Sequence, residues 1–87
     1  MTTTTEFEND RIRVLRVTHA KGEAQPATPR GDRLIIYLDK GRIVRTVGGK
    51  KETIERPAGS VVWRDRSSHQ VTNVGDADHR VIIVELK

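Results

Sequence analysis

Histidine is the side chain whose ordinary pKa lies nearest neutrality, and this 87-residue chain has three: His19, His69 and His79. His69 lies beside serines, in the run Ser67-Ser68-His69. Adjacent residues on a strand point to opposite faces, so Ser68 cannot serve His69. Ser67 has the right parity, but no Gly-x-Ser-x-Gly elbow surrounds it, and nucleophilic catalysis has little support. Asp32, Asp39, Asp65, Asp76 and Asp78 sit in turn-like sequence, where aspartate is favoured for bonding its own backbone, and they form no carboxylate pair for acid–base work. With no cysteine in the chain, disulfides, CxxC redox chemistry and thiolate zinc sites are excluded.

The elements that must position these groups read as strands, because apolar residues recur with period two. Residues 11–17 (RIRVLRV) alternate charged and aliphatic side chains with one slip at Val14-Leu15. Residues 33–38 (RLIIYL) form a nearly continuous β-branched and aromatic run, the pattern of a strand covered on both sides. Asp39-Lys40-Gly41 reads as a hairpin turn that makes residues 42–47 (RIVRTV) its antiparallel mate. Gly48-Gly49 marks a second turn before residues 51–55, and residues 60–64 (SVVWR), 69–74 and 79–86 supply three further strands. Residues 21–32 (KGEAQPATPRGD), with two prolines and two glycines, read as a loop. Residues 1–8 read as a flexible N-terminal segment ahead of a single domain over 9–87.

Strand-sized segments separated by regular turn signals, with no helical window, predict an all-β sandwich or barrel. A chain of this size buries only about 60–65% of its unfolded surface, and 34% hydrophobic residues leave a thin core. Closing the sheet removes vulnerable edges, and a partner subunit supplies further burial. The net charge of +4 is spread singly and in pairs along the strands rather than in blocks, so no nucleic-acid partner is expected. The sequence shows neither an apolar run of about 20 residues nor a basic-then-apolar leader, which makes a cytoplasmic protein with no membrane partner the expectation.

Two spacings resemble those of the cupin superfamily, in particular its small single-domain members. Gly22 is followed after five residues by Thr28, then by Arg30, after three more by Leu34 and after six more by Gly41. That is the spacing of the family's first motif, in which two histidines and a glutamate hold a metal. Gly59 is followed by Asp65, Ser67, His69 and Asn73 at nearly the spacing of the second motif, where only the last histidine and the asparagine match. The resemblance spans residues 9–87, and it implies a small jelly-roll β-barrel of two facing antiparallel sheets that commonly dimerises.

Three of the four ligand positions that the resemblance implies are held by Thr28, Arg30 and Leu34. None suits a divalent ion, so neither a catalytic metal nor another cofactor is expected. If Arg30 stands where the family places its second histidine, its guanidinium faces the barrel mouth, where its fork suits a carboxylate. The expected site is then Arg30, Thr28 and His69, with Trp63 lining the pocket, and the expected ligand a small organic anion bound without catalysis. The alternatives are a metal-dependent oxygenase or isomerase with a displaced ligand set, such as His69 with Asp65, and a structural or regulatory dimer module. His19 and His79 read as exposed or partly packed strand residues, and Tyr37 as outward-facing.

Overall fold

The computed structural model describes the backbone of residues 2–87 and all of their side chains except those of residues 26–28, 30, 68 and 69. The chain runs β1 (Thr2–Glu8), β2 (Ile12–His19), β3 (Ala24–Arg30), β4 (Arg33–Tyr37), β5 (Gly41–Val47), β6 (Lys50–Arg56), β7 (Val61–Arg64), β8 (Ser67–Asn73) and β9 (His79–Leu86). Two antiparallel sheets form, one in the order β1-β2-β9-β4-β7 and the other β3-β8-β5-β6. This is the expected all-β jelly roll of two facing sheets. No helix is long and apolar enough to cross a membrane among the described residues.

Seven strands lie where alternation placed them, and two do not. Residues 2–8 are strand rather than a loose segment, pairing with β2 from Thr2↔Thr18 to Glu8↔Arg13 through a register shift between Thr5 and Phe7. Threonine's branched Cβ suits a pleated surface, but with all seven residues exposed no apolar alternation announces the strand. The segment read as a loop contains β3, which pairs with β8 across an irregularity between Gln25 and Thr28. Proline lacks an N–H and is confined to edges and bulges; Pro26 and Pro29 fit because β3 is the edge of its sheet and is irregular there.

The Asp39-Lys40-Gly41 turn does not close a hairpin. β4 pairs with β9 and β7, whereas β5 crosses to the other sheet and pairs with β6 and β8. Asp39 anchors the crossing, its carboxylate accepting from the Arg80 backbone N–H at 3.0 Å and from Arg80 Nε at 2.9 Å. The β5–β6 turn is a true two-residue hairpin: Val47 pairs with Lys50, and Gly48 and Gly49 take φ of 58° and 79°, values that favour glycine at both central positions.

Leu15, Val17, Tyr37, Val81 and Ile83 form the buried cluster, with Ile35 and Val62 packed against it. Burying each such side chain contributes about 1.5–3 kcal/mol. Tyr37 is thus an inward residue, against expectation. Arg33, Ile35 and Tyr37 share the core parity of β4, and Leu34 and Ile36 take the outer one.

Candidate functional site

Between the sheets lies a cavity of about 100 Å³. Its walls are aliphatic: Val17, Ile35, Val81 and Ile83 from the five-stranded sheet, Ile43 and Val71 from the other. Its polar lining sorts to two ends. Arg33, Arg45, Arg64 and Gln25 lie toward one, and Tyr37, His19 and His79 toward the other. Inter-sheet contacts fix this polarity. A Cβ on Gly41, at the start of β5, would lie 3.0 Å from His79 Nδ1, so Arg45, four residues on, is near the opposite end. Likewise β8 starts with Ser67 beside Arg33, whose Nη2 donates to Ser67 Oγ at 3.4 Å, and ends with Asn73 Nδ2 donating to the His19 carbonyl at 2.9 Å.

The histidine end is closed. His19 and His79 are register partners at the end of the β2–β9 ladder, each 4% exposed, with ring centroids 5.4 Å apart edge to face. They are therefore buried side by side, not the exposed or partly packed residues that alternation suggested. His19 Nε2 donates to the Glu23 carbonyl at 2.8 Å, which fixes its tautomer. His79 Nδ1 is buried without a hydrogen-bond partner among the described residues. Burial holds the pKa of both rings below the ordinary 6.5, and His19 adds to the effect on His79. Asn73 is fully buried and also donates to the Ala77 carbonyl at 3.1 Å, while its Oδ1 accepts from the Gly75 N–H at 3.0 Å.

At the other end, one row of charged residues crosses the whole five-stranded sheet. Glu8 pairs with Arg13, Arg13 with Glu85, Glu85 with Arg33, and Arg33 with Arg64. The signs alternate until the last step, where two arginines stand directly opposite each other. Like charges so placed are destabilising. Arg33 is only 4% exposed and is held by the Gly31 carbonyl at 3.1 Å and by Ser67. Arg64 makes no hydrogen bond or ion pair among the described residues, and burial, with the Arg45 guanidinium behind it, holds its pKa below the usual value. From the facing sheet, Arg45 bonds Glu52 through Nη2 at 2.6 Å, but its Nε is buried and unpartnered among the described residues. Burial raises the pKa of Tyr37, while Arg56, Arg64 and Arg45 pull it down.

The side chains of Thr28, Arg30 and His69 lie outside the described residues. Their backbones are in register, Thr28 opposite His69 and Arg30 opposite Ser67, on the stretch of β3–β8 that runs toward the arginine end. Trp63 does not line the cavity. It is 48% exposed on the outer face of the edge strand β7, with Nε1 donating to Asp65 Oδ1 at 2.9 Å; the inward positions of β7 are Val62 and Arg64. Leu34 also takes the outer parity, and its inward neighbours Arg33 and Ile35 supply no carboxylate. Among the described residues no group of three or more His, Cys, Asp or Glu could hold a metal ion.

Sequence reasoning missed Arg33, Arg45 and Arg64 because an arginine in a strand reads as solvent-facing. The signal was parity: Arg33 alternates with Ile35 and Tyr37, Arg45 with Ile43, and Arg64 with Val62, so each occupies a core position of its strand.

The chain matches no protein-family model and no curated protein. Its fold matches solved structures over nearly its whole length. A cupin domain from Bordetella pertussis Tohama I superimposes with a TM-score of 0.91 at 18% identity, covering 99% of this chain and 92% of that one. A cupin superfamily protein from Desulfitobacterium hafniense gives 0.73 at 20% identity, covering 98% and 75%. A cupin 2 conserved barrel domain protein from Salinispora arenicola gives 0.68 at 19% identity, covering 94% and 71%. These likenesses establish the cupin fold.

Proposed function

We propose that this cupin-fold chain is a cytoplasmic protein that binds a small organic anion in its barrel without a catalytic metal. The observation that carries the reading is Arg64: an inward guanidinium with no ion pair among the described residues, opposite Arg33 and beside Arg45, whose buried Nε lacks a partner. A buried donor without an acceptor costs about 1–3 kcal/mol, more when charged, and a carboxylate seated between Arg64 and Arg45 offsets that cost. A few convergent polar groups above an apolar cavity is the usual plan of a small-molecule site. The same guanidinium cluster disfavours a divalent cation. Arg30, Thr28 and His69 join the site as further mouth residues, a role consistent with their register at the arginine end.

Calorimetric titration of a carboxylate library into the native protein, Arg64→Gln and Arg30→Ala tests the assignment. Heat of binding is expected for the native protein and loss of affinity for both variants; equal responses from all three proteins would sink it.

The homodimer belongs to the same reading. On the outer face of the five-stranded sheet, Phe7, Val14, Val84, Leu34 and Trp63 form an unbroken apolar row across all five strands, with Phe7 and Trp63 about half exposed. Five strands at about 4.8 Å spacing and about 3.3 Å per residue make a face of about 500 Å² in plan, before side-chain relief adds to it, against the ~800 Å² that each partner of a standard interface buries. A flat apolar face is complementary to its own copy under two-fold symmetry, so we assign a second copy of the chain to it.

A further inference from the structure

We infer that the ligand is a short aliphatic monocarboxylate, with its carboxylate between Arg64 and Arg45 and its tail in the cavity. The inference rests on the anion-binding reading above and narrows it by size, charge and tail chemistry. Size comes first. An apolar cavity of about 150 Å³ accepts benzene, so about 100 Å³ takes a tail of about four carbon atoms and leaves the head at the arginines.

Charge comes second. Along the row, Glu8 and Glu85 stand against Arg13 and Arg33, and Glu52 is bonded to Arg45. Of the arginines that line the cavity, Arg64 is the one with no carboxylate opposite it in register or bonded to it among the described residues. Arg56 adds to the positive field on Arg64 and Glu52, bonded to Arg45, partly offsets it, but neither is part of the cavity wall. One guanidinium and one additional Nε–H donor suit a single planar carboxylate better than a doubly charged group.

Tail chemistry decides between otherwise similar acids. From the arginines inward the described wall is Ile35, Ile83, Val71, Val81 and Val17, with no charged side chain among the described residues before Tyr37 and the histidine pair. That pair is buried, and burial favours its neutral form. A second carboxylate carried down this channel would be desolvated against aliphatic carbon with no cation to receive it, a cost of several kcal/mol per ion. A methyl group at the same position gains from burial instead.

Valerate and glutarate make the comparison direct, since both are five-carbon acids and differ only in a methyl or a carboxylate at the far end. Titration calorimetry on the native protein with propionate, butyrate, valerate, glutarate and inorganic phosphate is the test. Affinity should rise about fourfold per methylene from propionate to valerate, and glutarate should bind at least ten times more weakly than valerate. Glutarate binding as tightly as valerate, affinity independent of chain length, or phosphate preferred over every carboxylate would overturn this inference and leave the anion site standing. No binding by any of the five would overturn the anion-binding reading itself.

Discussion

Arg33 and Arg64 stand directly opposite each other across the β4–β7 ladder, both on the cavity side of the sheet. Placing two guanidinium groups there costs stability, because like charges in directly opposed cross-strand positions repel. Strain of this kind is retained where a ligand relieves it. Replacing Arg64 with methionine, which keeps an unbranched chain for packing and removes the charge, should therefore raise the stability of the ligand-free protein by about 0.5–1 kcal/mol. Urea unfolding of the two proteins measures the difference; a clear loss of stability in Arg64→Met would show that Arg64 is held by interactions that outweigh its repulsion from Arg33.

Gly41 opens β5 against the buried face of His79. A Cβ there would meet His79 Nδ1 at 3.0 Å and Cγ and Cε1 at 3.3 Å, and the ring cannot swing away freely because His19 and Tyr37 flank it at 5.4 and 6.2 Å between ring centroids. Gly41→Ala should cost about 1–2 kcal/mol, within the usual range for overpacking a core. The corresponding change at Gly31, where the nearest atom to an added Cβ is 3.7 Å away, should be near neutral. Equal unfolding midpoints for the two variants would contradict the assignment of close packing at Gly41.

Seven of the nine strands were legible because alternation, the continuous β-branched run of residues 33–38 and the turn residues between strands are all local properties of sequence. β1 was not legible, since an edge strand exposed along its whole length buries nothing and leaves no apolar period. The partner of β4 was misread for a different reason. Asp39-Lys40-Gly41 has the composition of a hairpin turn, but whether β5 folds back beside β4 or crosses to the facing sheet depends on β9 and β7 occupying both edges of β4, a long-range fact. The arginines lining the cavity were not read from the sequence, because residue type assigns a strand arginine to solvent although the parity of Arg33, Arg45 and Arg64 places them inside; of the motif positions Thr28, Arg30 and His69 the backbone register alone is described.

The outer face of the five-stranded sheet gives a prediction of assembly. Val61 is 59% exposed and Trp63 48%, on the strand that ends the apolar row. Sedimentation at micromolar concentration should give a dimer for the native chain and a monomer for Val61→Glu, whose carboxylate would be desolvated between two apolar faces. Trp63 emission should shift to the red with dissociation, as its indole gains water. A native chain that sediments as a monomer would rule out the second copy as the occupant of this face.

The buried pair His19 and His79 makes stability depend on pH with a definite sign. Burial lowers both folded-state pKa values from 6.5; Glu23 near His19 and Asp39 near His79 favour the charged rings without reversing the shift. Below about pH 6.5 the unfolded chain takes up protons that the folded chain refuses, so the unfolded state binds more protons and stability rises with pH. The contribution is complete above about pH 7.5 and is lost as pH falls through 6.5, at no more than about 1.4 kcal/mol per pH unit for each ring. Acid weakens the fold further near the carboxylate range, where Asp39 loses Arg80, Glu52 loses Arg45 and Glu8 loses Lys87, each having its pKa lowered by that partner. Urea midpoints at about pH 7.5, 6.5 and 5.5 separate the two regimes, because histidine is the side chain whose ordinary pKa falls between the first and last values. The midpoint should fall over this range in the native protein and fall less in His79→Leu, which replaces the ring with a neutral apolar side chain beside Tyr37. A native midpoint that does not move between these values would mean that the two rings are as free to take up a proton in the folded barrel as in the unfolded chain.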